Sequence, residues 1–350
     1  MAGSYITISY NPKAKGAGAD TFDFKVKVGS GYTIYWQGSK NTSRWYTFSS
    51  SDLYGGSYIG SPYWSWDFVK GEFIRIKGIG NSGKNYSHPI IQFNNPHGYF
   101  DISGDLESLV EGEGSTATTV TIPPNAFSNM FTGNVIPGVV DISNLIFPTN
   151  LSAHCCENMF VNCKYIIDKV PELPATTLTE SCYAGMFQNC TALTEAPDLP
   201  ATNLAPNCYK NMFNGCNSLD APIELPATTL PQSCYEGMFR NCKGINMSDV
   251  KGPNYIIPYR IPAAGTGTNP SGNATTYMFT DISPDTAWQG TPNINKTYYL
   301  YQETPELNAI FVGVDGKAKR VNKMFIGVKG TAQRVRNLKI GYKGHAVELR

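Results

Sequence analysis

The sequence predicts a multidomain, mainly β protein with short helices, in which an N-terminal β-sandwich precedes a central repeat solenoid and a C-terminal module of β-hairpin repeats. Three observations predict this fold class. Apolar and polar residues alternate near the N-terminus, a period of about 26 residues recurs in the middle, and a period of 14 recurs at the end. These patterns predict domains at residues 1–112, 117–302 and 308–350.

Composition agrees with several β-rich domains. The chain has 350 residues with a net charge of +1, and its 34 Gly and 23 Pro suit turn-rich β structure better than long helices. No apolar run approaches the roughly 18 residues that span a bilayer, so we expect no membrane insertion. The segment Met1–Thr7 lacks the basic and apolar regions of a secretory signal, which is therefore either absent or already removed.

The N-terminal domain is predicted from strand-like alternation. The segments Tyr5–Tyr10, Phe22–Val28 and Phe73–Lys77 alternate as half-buried strands do. A Gly/Ser-rich stretch follows the first strands and carries an aromatic cluster. Such rings either contact a ligand, by stacking on sugars or in a protein interface, or pack the sandwich. The possible ligand-contact aromatics are Trp45, Tyr46, Tyr54, Tyr58, Tyr63, Trp64 and Trp66.

The central repeat gives the strongest pattern. The windows Cys182–Cys190, Cys208–Cys216 and Cys234–Cys242 align without gaps at a period of 26. Their cysteines and methionine stand at i, i+4 and i+8, which predicts the inward side of a short helix, and the alternating residues that follow predict a short strand. The predicted structural residues are Cys182, Met186, Phe187, Cys190, Cys208, Met212, Phe213, Cys216, Cys234, Met238, Phe239 and Cys242.

The nine cysteines point to packing rather than to chemistry. Across a helix, eight residues rise about 12 Å, too far for the two cysteines of one copy to form a disulfide. Disulfides between neighbouring copies remain the alternative to small buried hydrophobes. This spacing is not that of a metal site, and the four histidines are scattered. We therefore predict no catalytic residue, no metal and no cofactor, so the protein is not expected to be an enzyme.

A second constant segment, Leu173-Pro174-Ala175-Thr176-Thr177-Leu178, recurs with the cysteine windows at the same period. Together, over residues 166–245, the two segments resemble BspA-like leucine-rich repeats. The resemblance implies a leucine-rich-repeat solenoid, in which each unit is stabilised by stacking on its neighbours and the end copies are atypical. Looser copies precede the array, and residues 277–299 look like its closing unit.

The C-terminal residues 308–350 carry ten basic and two acidic side chains. The windows Val312–Gly316, Ile326–Gly330 and Ile340–Gly344 align, and Asp315-Gly316 is a hairpin-turn signal. This pattern resembles glycine-punctuated repeats at the ends of phage and prophage tail-associated proteins. The basic side chains either bind phosphate or anionic glycan, or protect the hairpin edges. We favour edge protection and expect no nucleic-acid partner.

These observations favour a binding or structural protein. The leading hypothesis is a bacteriophage virion or tail-appendage protein, of fibre or receptor-binding type, whose solenoid attaches to the host surface. Its expected partners are other virion or tail proteins and a bacterial surface glycan or protein receptor, and we expect a homo-oligomer in the virion. The alternative is a secreted BspA-like adhesin at the bacterial cell surface. A carbohydrate-active enzyme is the least favoured interpretation, because no recurring pair of acidic residues stands out.

Overall fold

The structure is a computed structural model of the chain. It describes residues 5–10, 21–40, 44–49, 64–69, 72–97, 99–112, 120–131, 139–166, 170–303, 310–314, 317–321, 325–328, 331–334, 338–342 and 345–349. The described residues are mainly β, as predicted, and are arranged in several sheets. Their one 3-10 helix spans Leu106–Leu109, and no helix in these ranges is long and apolar enough to cross a membrane.

Nine described strands lie within the first 146 residues, and they form two sheets. One has six strands in the order β4-β3-β6-β1-β8-β9, and the other has three in the order β5-β2-β7. Their bounds are β1 (Ile6–Tyr10), β2 (Thr21–Val28), β3 (Thr33–Gly38), β4 (Tyr46–Ser49), β5 (Trp64–Val69), β6 (Phe73–Gly78), β7 (Ile91–His97), β8 (Phe100–Asp105) and β9 (Val139–Ile146).

The six-stranded sheet is amphipathic, as its sequence alternation predicts. In β6, Ile74 and Ile76 are fully buried, whereas Phe73, Arg75 and Lys77 on the opposite face are half-buried. The same alternation runs through β1 and β8, so the sheet has one core face and one partly solvated face. We call the latter the outer face, defined by Tyr5, Thr7, Phe73, Arg75, Lys77 and Ser103.

The sheet continues beyond the predicted N-terminal domain. Strand β9 pairs in parallel with β8, although residues 139–146 fall inside the predicted repeat region. The predicted boundary near residues 112–117 therefore does not coincide with a break in the hydrogen-bonded sheet. The β8–β9 register shifts twice along its length, so β9 is an irregular edge strand.

The repeated cysteine windows are chains of tight turns, so the predicted short helices are wrong. From Ser181 to Cys190, alternate N–H groups donate to the carbonyl three residues back, as Met186 does to Tyr183 (3.3 Å). The intervening N–H groups donate to the next copy instead, as Phe187 does to Met212 (2.9 Å). An α-helix would direct all of these N–H groups within one copy, which would leave the copies without mutual hydrogen bonds.

Every fourth backbone position in these turns is left-handed. Within one copy, Ser181, Gly185 and Asn189 have φ of 52°, 60° and 60°. Gly185 is the third residue of the turn Tyr183–Met186, the position where a type II turn requires positive φ. Asn and Gly tolerate this conformation best, which explains why, in the copies that contain cysteine, they alternate from copy to copy at the position of Gly185 and always occupy the position of Asn189.

A continuous stack of phenylalanine rings accompanies the backbone hydrogen bonds between successive copies. Successive centroids are 4.9–5.7 Å apart and the rings are within 9° of parallel. A shorter tyrosine stack runs beside it with 5.9 Å spacing. The members are Phe93, Phe131, Phe160, Phe187, Phe213, Phe239 and Phe279, and Tyr183, Tyr209 and Tyr235.

The stack is continuous with the three-stranded sheet at its N-terminal end. Phe93 of β7 donates its N–H to the carbonyl of Met130 (2.8 Å). Its ring lies 4.9 Å from that of Phe131. The first copy, which carries no cysteine, is thus covered by the N-terminal sheet rather than by another repeat, as an end copy needs to be.

At the C-terminal end, the last turn copy is separated in sequence from the preceding copy by the insertion at residues 251–272. The two copies are nevertheless hydrogen-bonded, since Gly237 donates its N–H to the carbonyl of Thr276 (2.8 Å). A three-stranded sheet of order β10-β12-β11 follows the repeats. Its strands are β10 (Met247–Ser248), β11 (Tyr255–Arg260) and β12 (Thr297–Tyr301).

The other half of each repeat is extended but does not form the predicted strand. Parallel bridges join Thr177 to Asn203 and Thr229 to Thr268, outside any named strand. Pro197 and Pro200 lack the N–H that a ladder needs. Pairing in this half is therefore limited to short contacts.

The C-terminal residues form three antiparallel strand pairs: β13 (Ile310–Val314) with β14 (Lys317–Val321), β15 (Phe325–Val328) with β16 (Thr331–Arg334), and β17 (Leu338–Tyr342) with β18 (His345–Leu349). All three keep one register, which places Gly313, Gly327 and Gly341 opposite an alanine. The predicted turn Asp315-Gly316 lies outside the described residues.

The left-handed glycines give a direct test of the repeat geometry. A Cβ added at Gly237 would overlap Oδ1 of Asn211 in the preceding copy, whereas one added at Gly272 would meet nothing within 4 Å. Both residues have positive φ, so Gly272→Ala measures the conformational cost alone. We expect Gly237→Ala to lower the free energy of unfolding by roughly 1–3 kcal/mol more than Gly272→Ala, measured by urea denaturation. Equal losses would contradict the packing of Asn211 against Gly237.

Candidate functional site

The predicted structural residues of the repeat cannot contact a ligand. All twelve cysteine, methionine and phenylalanine side chains predicted from the three aligned windows are fully buried. Because these side chains are withdrawn from solvent, any recognition surface must use other residues of the repeat, or residues outside it.

The cysteine at the end of each window has a specific structural partner. Cys190, Cys216 and Cys242 each donate from Sγ to the carbonyl of a phenylalanine in the preceding copy, at 3.2, 3.1 and 3.0 Å. All nine cysteines are free thiols buried in the described part of the chain. Across that part, no three His, Cys, Asp or Glu side chains come together as metal ligands would.

Burial makes these thiols poor nucleophiles. Desolvation raises the pKa of Cys163 and Cys242 to about 12, and it raises the pKa of Cys182 and Cys234 to about 12 as well. The thiolate is the reactive form, so these groups stay protonated and inert at neutral pH.

The exposed side chains of the turns vary from copy to copy. Lys210 and Glu236 occupy the same position of two neighbouring copies and form an ion pair at 3.2 Å. Arg240 lies over the ring of Tyr277, a residue that is 55% exposed. One side of the stack therefore carries polar and aromatic side chains that differ from copy to copy on a regular backbone.

Two of the seven predicted ligand-contact aromatics have described side chains, and the sheet separates them. The ring of Tyr46 stacks on that of Trp36 with 4.8 Å between centroids, and Trp36 packs against the core. For Tyr46 this agrees with the interpretation that the ring packs the domain and does not contact a ligand. Trp45 lies instead 6.1 Å from Tyr5 on the outer face. Trp64 and Trp66 lie in β5, whereas Tyr54, Tyr58 and Tyr63 lie outside the described residues.

Cations cover several rings of the outer face. The guanidinium of Arg75 lies 4.6 Å from the ring centre of Tyr5 and 4.7 Å from that of Phe73. The ammonium of Lys77 lies 4.4 Å from the ring of Trp45. These cation–π contacts hold the rings and both cations in place, so the outer face is an ordered surface.

A groove of about 610 Å³ opens beside this surface. Tyr5, Thr7 and Ser103 of the outer face line one side, Ser143 and Asn144 of β9 line the floor, and Glu172 of the first extended repeat segment lines the opposite side. The volume lies in the range of small-molecule sites. The groove therefore forms where the six-stranded sheet meets the repeats.

The groove is rich in polar side chains that the protein itself uses little. Asn144 donates only a long 3.4 Å bond to the hydroxyl of Ser143. The carboxylate of Glu172 has neither a hydrogen bond nor an ion pair with another described residue. Gly104 has φ of 104°, and a Cβ there would overlap the carbonyl of Tyr5. This close backbone approach forms the end of the groove next to Tyr5.

None of the groove residues was predicted as a site, because they are far apart in the sequence and no local motif joins them. Glu172 belongs to the repeat, in which Asp198 and Glu224 occupy the same position. Only the contact of the repeat with the sheet distinguishes it from them. The polar residues Ser143 and Asn144 of β9 were the one local sequence feature that could have indicated the groove.

Comparison of the chain with models of protein families, with curated proteins and with solved structures found no match.

The buried thiols predict a specific pH dependence of stability. Their folded-state pKa is raised above the ordinary value of 9.0, so their contribution to stability is complete below about pH 9 and is lost as the pH rises toward 12. We expect the free energy of unfolding to fall over that interval, by up to about 1.4 kcal/mol per pH unit for each such thiol. Cys242→Ala should flatten the slope measured by urea denaturation. An unchanged slope would contradict the assignment.

Proposed function

We propose that this chain is a non-enzymatic binding protein in which the stacked copies form a leucine-rich-repeat solenoid of the BspA-like kind. In this proposal the two N-terminal sheets form a β-sandwich and the C-terminal strand pairs form a basic hairpin module. The observation that carries it is the ladder of hydrogen bonds and stacked rings that joins copy to copy. Such an array provides an extended, regular surface, which is the usual role of stacked repeats.

The distribution of side chains supports binding rather than catalysis. The cysteine, tyrosine, methionine and phenylalanine side chains shared by the aligned windows are buried, whereas partly exposed positions differ between copies, as Lys210 and Glu236 do. The groups of the repeats whose pKa is raised well above its ordinary value are cysteines and tyrosines, and the cause is their burial in the core. A protein evolved for recognition needs variation on the surface above a constant interior.

We further propose that the protein is a bacteriophage virion or tail-appendage component that attaches to the bacterial surface. The three C-terminal strand pairs share one register, and their sequence resembles repeats of phage tail-associated proteins. A single two-stranded hairpin is marginally stable in water. The hairpins therefore favour association with further copies of this chain or with other virion proteins.

The proposal is tested by attachment. Labelled full-length protein should bind host bacteria saturably and reduce adsorption of the phage that carries it, because it occupies the same receptor. Flow cytometry and a plaque-based adsorption assay measure the two effects, and bacteria that resist adsorption serve as the control. Absence of saturable binding to susceptible cells would remove receptor recognition and leave only a structural role in the particle.

The secreted adhesin makes a different prediction about location. Antibody labelling should place the protein on purified virions if it is an appendage, and on the bacterial surface of uninfected cells if it is an adhesin. Labelling of uninfected cells alone would overturn the virion proposal.

A further inference from the structure

We propose that the groove between the six-stranded sheet and the first repeat segment is a binding site for a neutral saccharide. This inference rests on the proposed attachment function and names the part of the molecule that recognises the surface ligand. Its polar lining residues are Tyr5, Thr7, Ser103, Ser143, Asn144 and Glu172, and glycine and apolar residues complete the lining.

The chemistry of the groove suits a polyol. The hydroxyls of four residues can donate or accept, the amide of Asn144 can do both, and the carboxylate of Glu172 accepts two or more hydrogen bonds. A sugar ring offers closely spaced hydroxyls that serve as both donors and acceptors, and an apolar ring face that packs on aromatic side chains. Tyr5 supplies such a ring at one end of the groove, where Arg75 holds it in place.

Charge favours a neutral ligand over an anionic one. Glu172 is the charged side chain that lines the groove among the described residues. It would repel a phosphate or a uronic acid. The cations of the outer face do not line the groove. Arg75 lies against the rings of Tyr5 and Phe73 and donates to Gln37, and Lys77 lies against the ring of Trp45.

A peptide strand added to the edge strand β9 is a different kind of occupant. Strand addition requires a regular row of backbone groups, whereas the register of β9 shifts twice. Pro174 lies on the opposite side of the groove and has no N–H to offer a second edge. The groove instead combines hydroxyl, amide and carboxylate groups with the apolar Leu145, Ile146 and Phe147, a mixture that favours the saccharide.

The repeat supplies a matched control for the main test. Glu172 and Glu224 are both exposed and occupy the same position of the extended segment, two periods apart, but only Glu172 lines the groove. Glu172→Gln and Glu224→Gln therefore make the same chemical change with similar consequences for folding. Asn144→Ala tests the floor of the groove, and Ser103→Trp fills it. Circular dichroism and the thermal midpoint verify that each variant is folded.

The probes are purified bacterial surface polysaccharides of three kinds: neutral, uronic-acid-containing and phosphate-containing. Binding of the full chain is measured by biolayer interferometry. We expect a neutral polysaccharide to bind and Ser103→Trp to abolish binding. Glu172→Gln should lower the affinity by at least about tenfold, since a hydrogen bond to a charged group is worth roughly that much. Asn144→Ala should lower it by about two- to tenfold, the range of a neutral hydrogen bond. Glu224→Gln should bind as the unmodified protein does.

Each other outcome overturns the proposal. Exclusive binding of the acidic polysaccharides would contradict the neutral ligand, and equal effects of Glu172→Gln and Glu224→Gln would place the ligand elsewhere. Displacement by an extended peptide library but not by any polysaccharide would identify β9 as a strand-addition site instead.

Parallel measurements on whole cells separate this proposal from the attachment function. If the unmodified protein binds cells saturably and the groove variants bind equally well, attachment stands and the groove is excluded. If the protein binds a neutral polysaccharide through the groove but no cells, the site stands and attachment fails.

Discussion

The repeats depend on one backbone constraint: a left-handed residue at every fourth position of the turn segment. This conformation makes alternate N–H groups close turns within a copy, while the others point to the next copy. Each copy therefore leaves hydrogen-bonding groups that only a neighbour of the same geometry can satisfy. Since buried, unpaired backbone groups are costly, the stacking distance and register of the copies are fixed before any side chain is considered. The ring stacks at 5.5–5.9 Å follow from that register.

Side-chain complementarity between copies follows the same constraint. A left-handed position favours Gly or Asn. At the middle such position of each cysteine-containing turn segment the chain alternates them, so that Asn158 covers Gly185 and Asn211 covers Gly237. Where asparagines meet, as at Asn189 and Asn162, they form a 2.9 Å hydrogen bond. The terminal cysteine is similarly suited to its place, because it fills a small space and its thiol binds a phenylalanine carbonyl of the preceding copy. The recurring Gly, Asn and Cys residues of the repeat are thus explained by the contacts that they make between copies.

Sequence alone predicted which repeat residues face the interior but not the backbone that places them there. Cys182, Met186 and Cys190 recur every four residues, and an α-helix of 3.6 residues per turn and a chain of four-residue turns both bring such residues to one side. Gly185 and Asn189 were the distinguishing signal, since positive φ is rare within a helix. The strands β1, β2 and β6 were predictable from local alternation. The parallel pairing of β9 was not, because register between distant segments leaves no local pattern.

The same reasoning explains why the groove was invisible in the sequence. Tyr5, Ser103, Asn144 and Glu172 come from four separate segments, and each is ordinary in its own context. A repeat whose backbone is fixed by stacking presents nearly the same backbone contour from copy to copy, so a unique recess arises most readily where the array meets a different structure. Here the parallel strand β9 brings the sheet against the first extended segment, and the regular backbone of the repeats holds Glu172 at a fixed position. The rigid array can therefore serve as one wall of a site without contributing any of its repeated core residues to it.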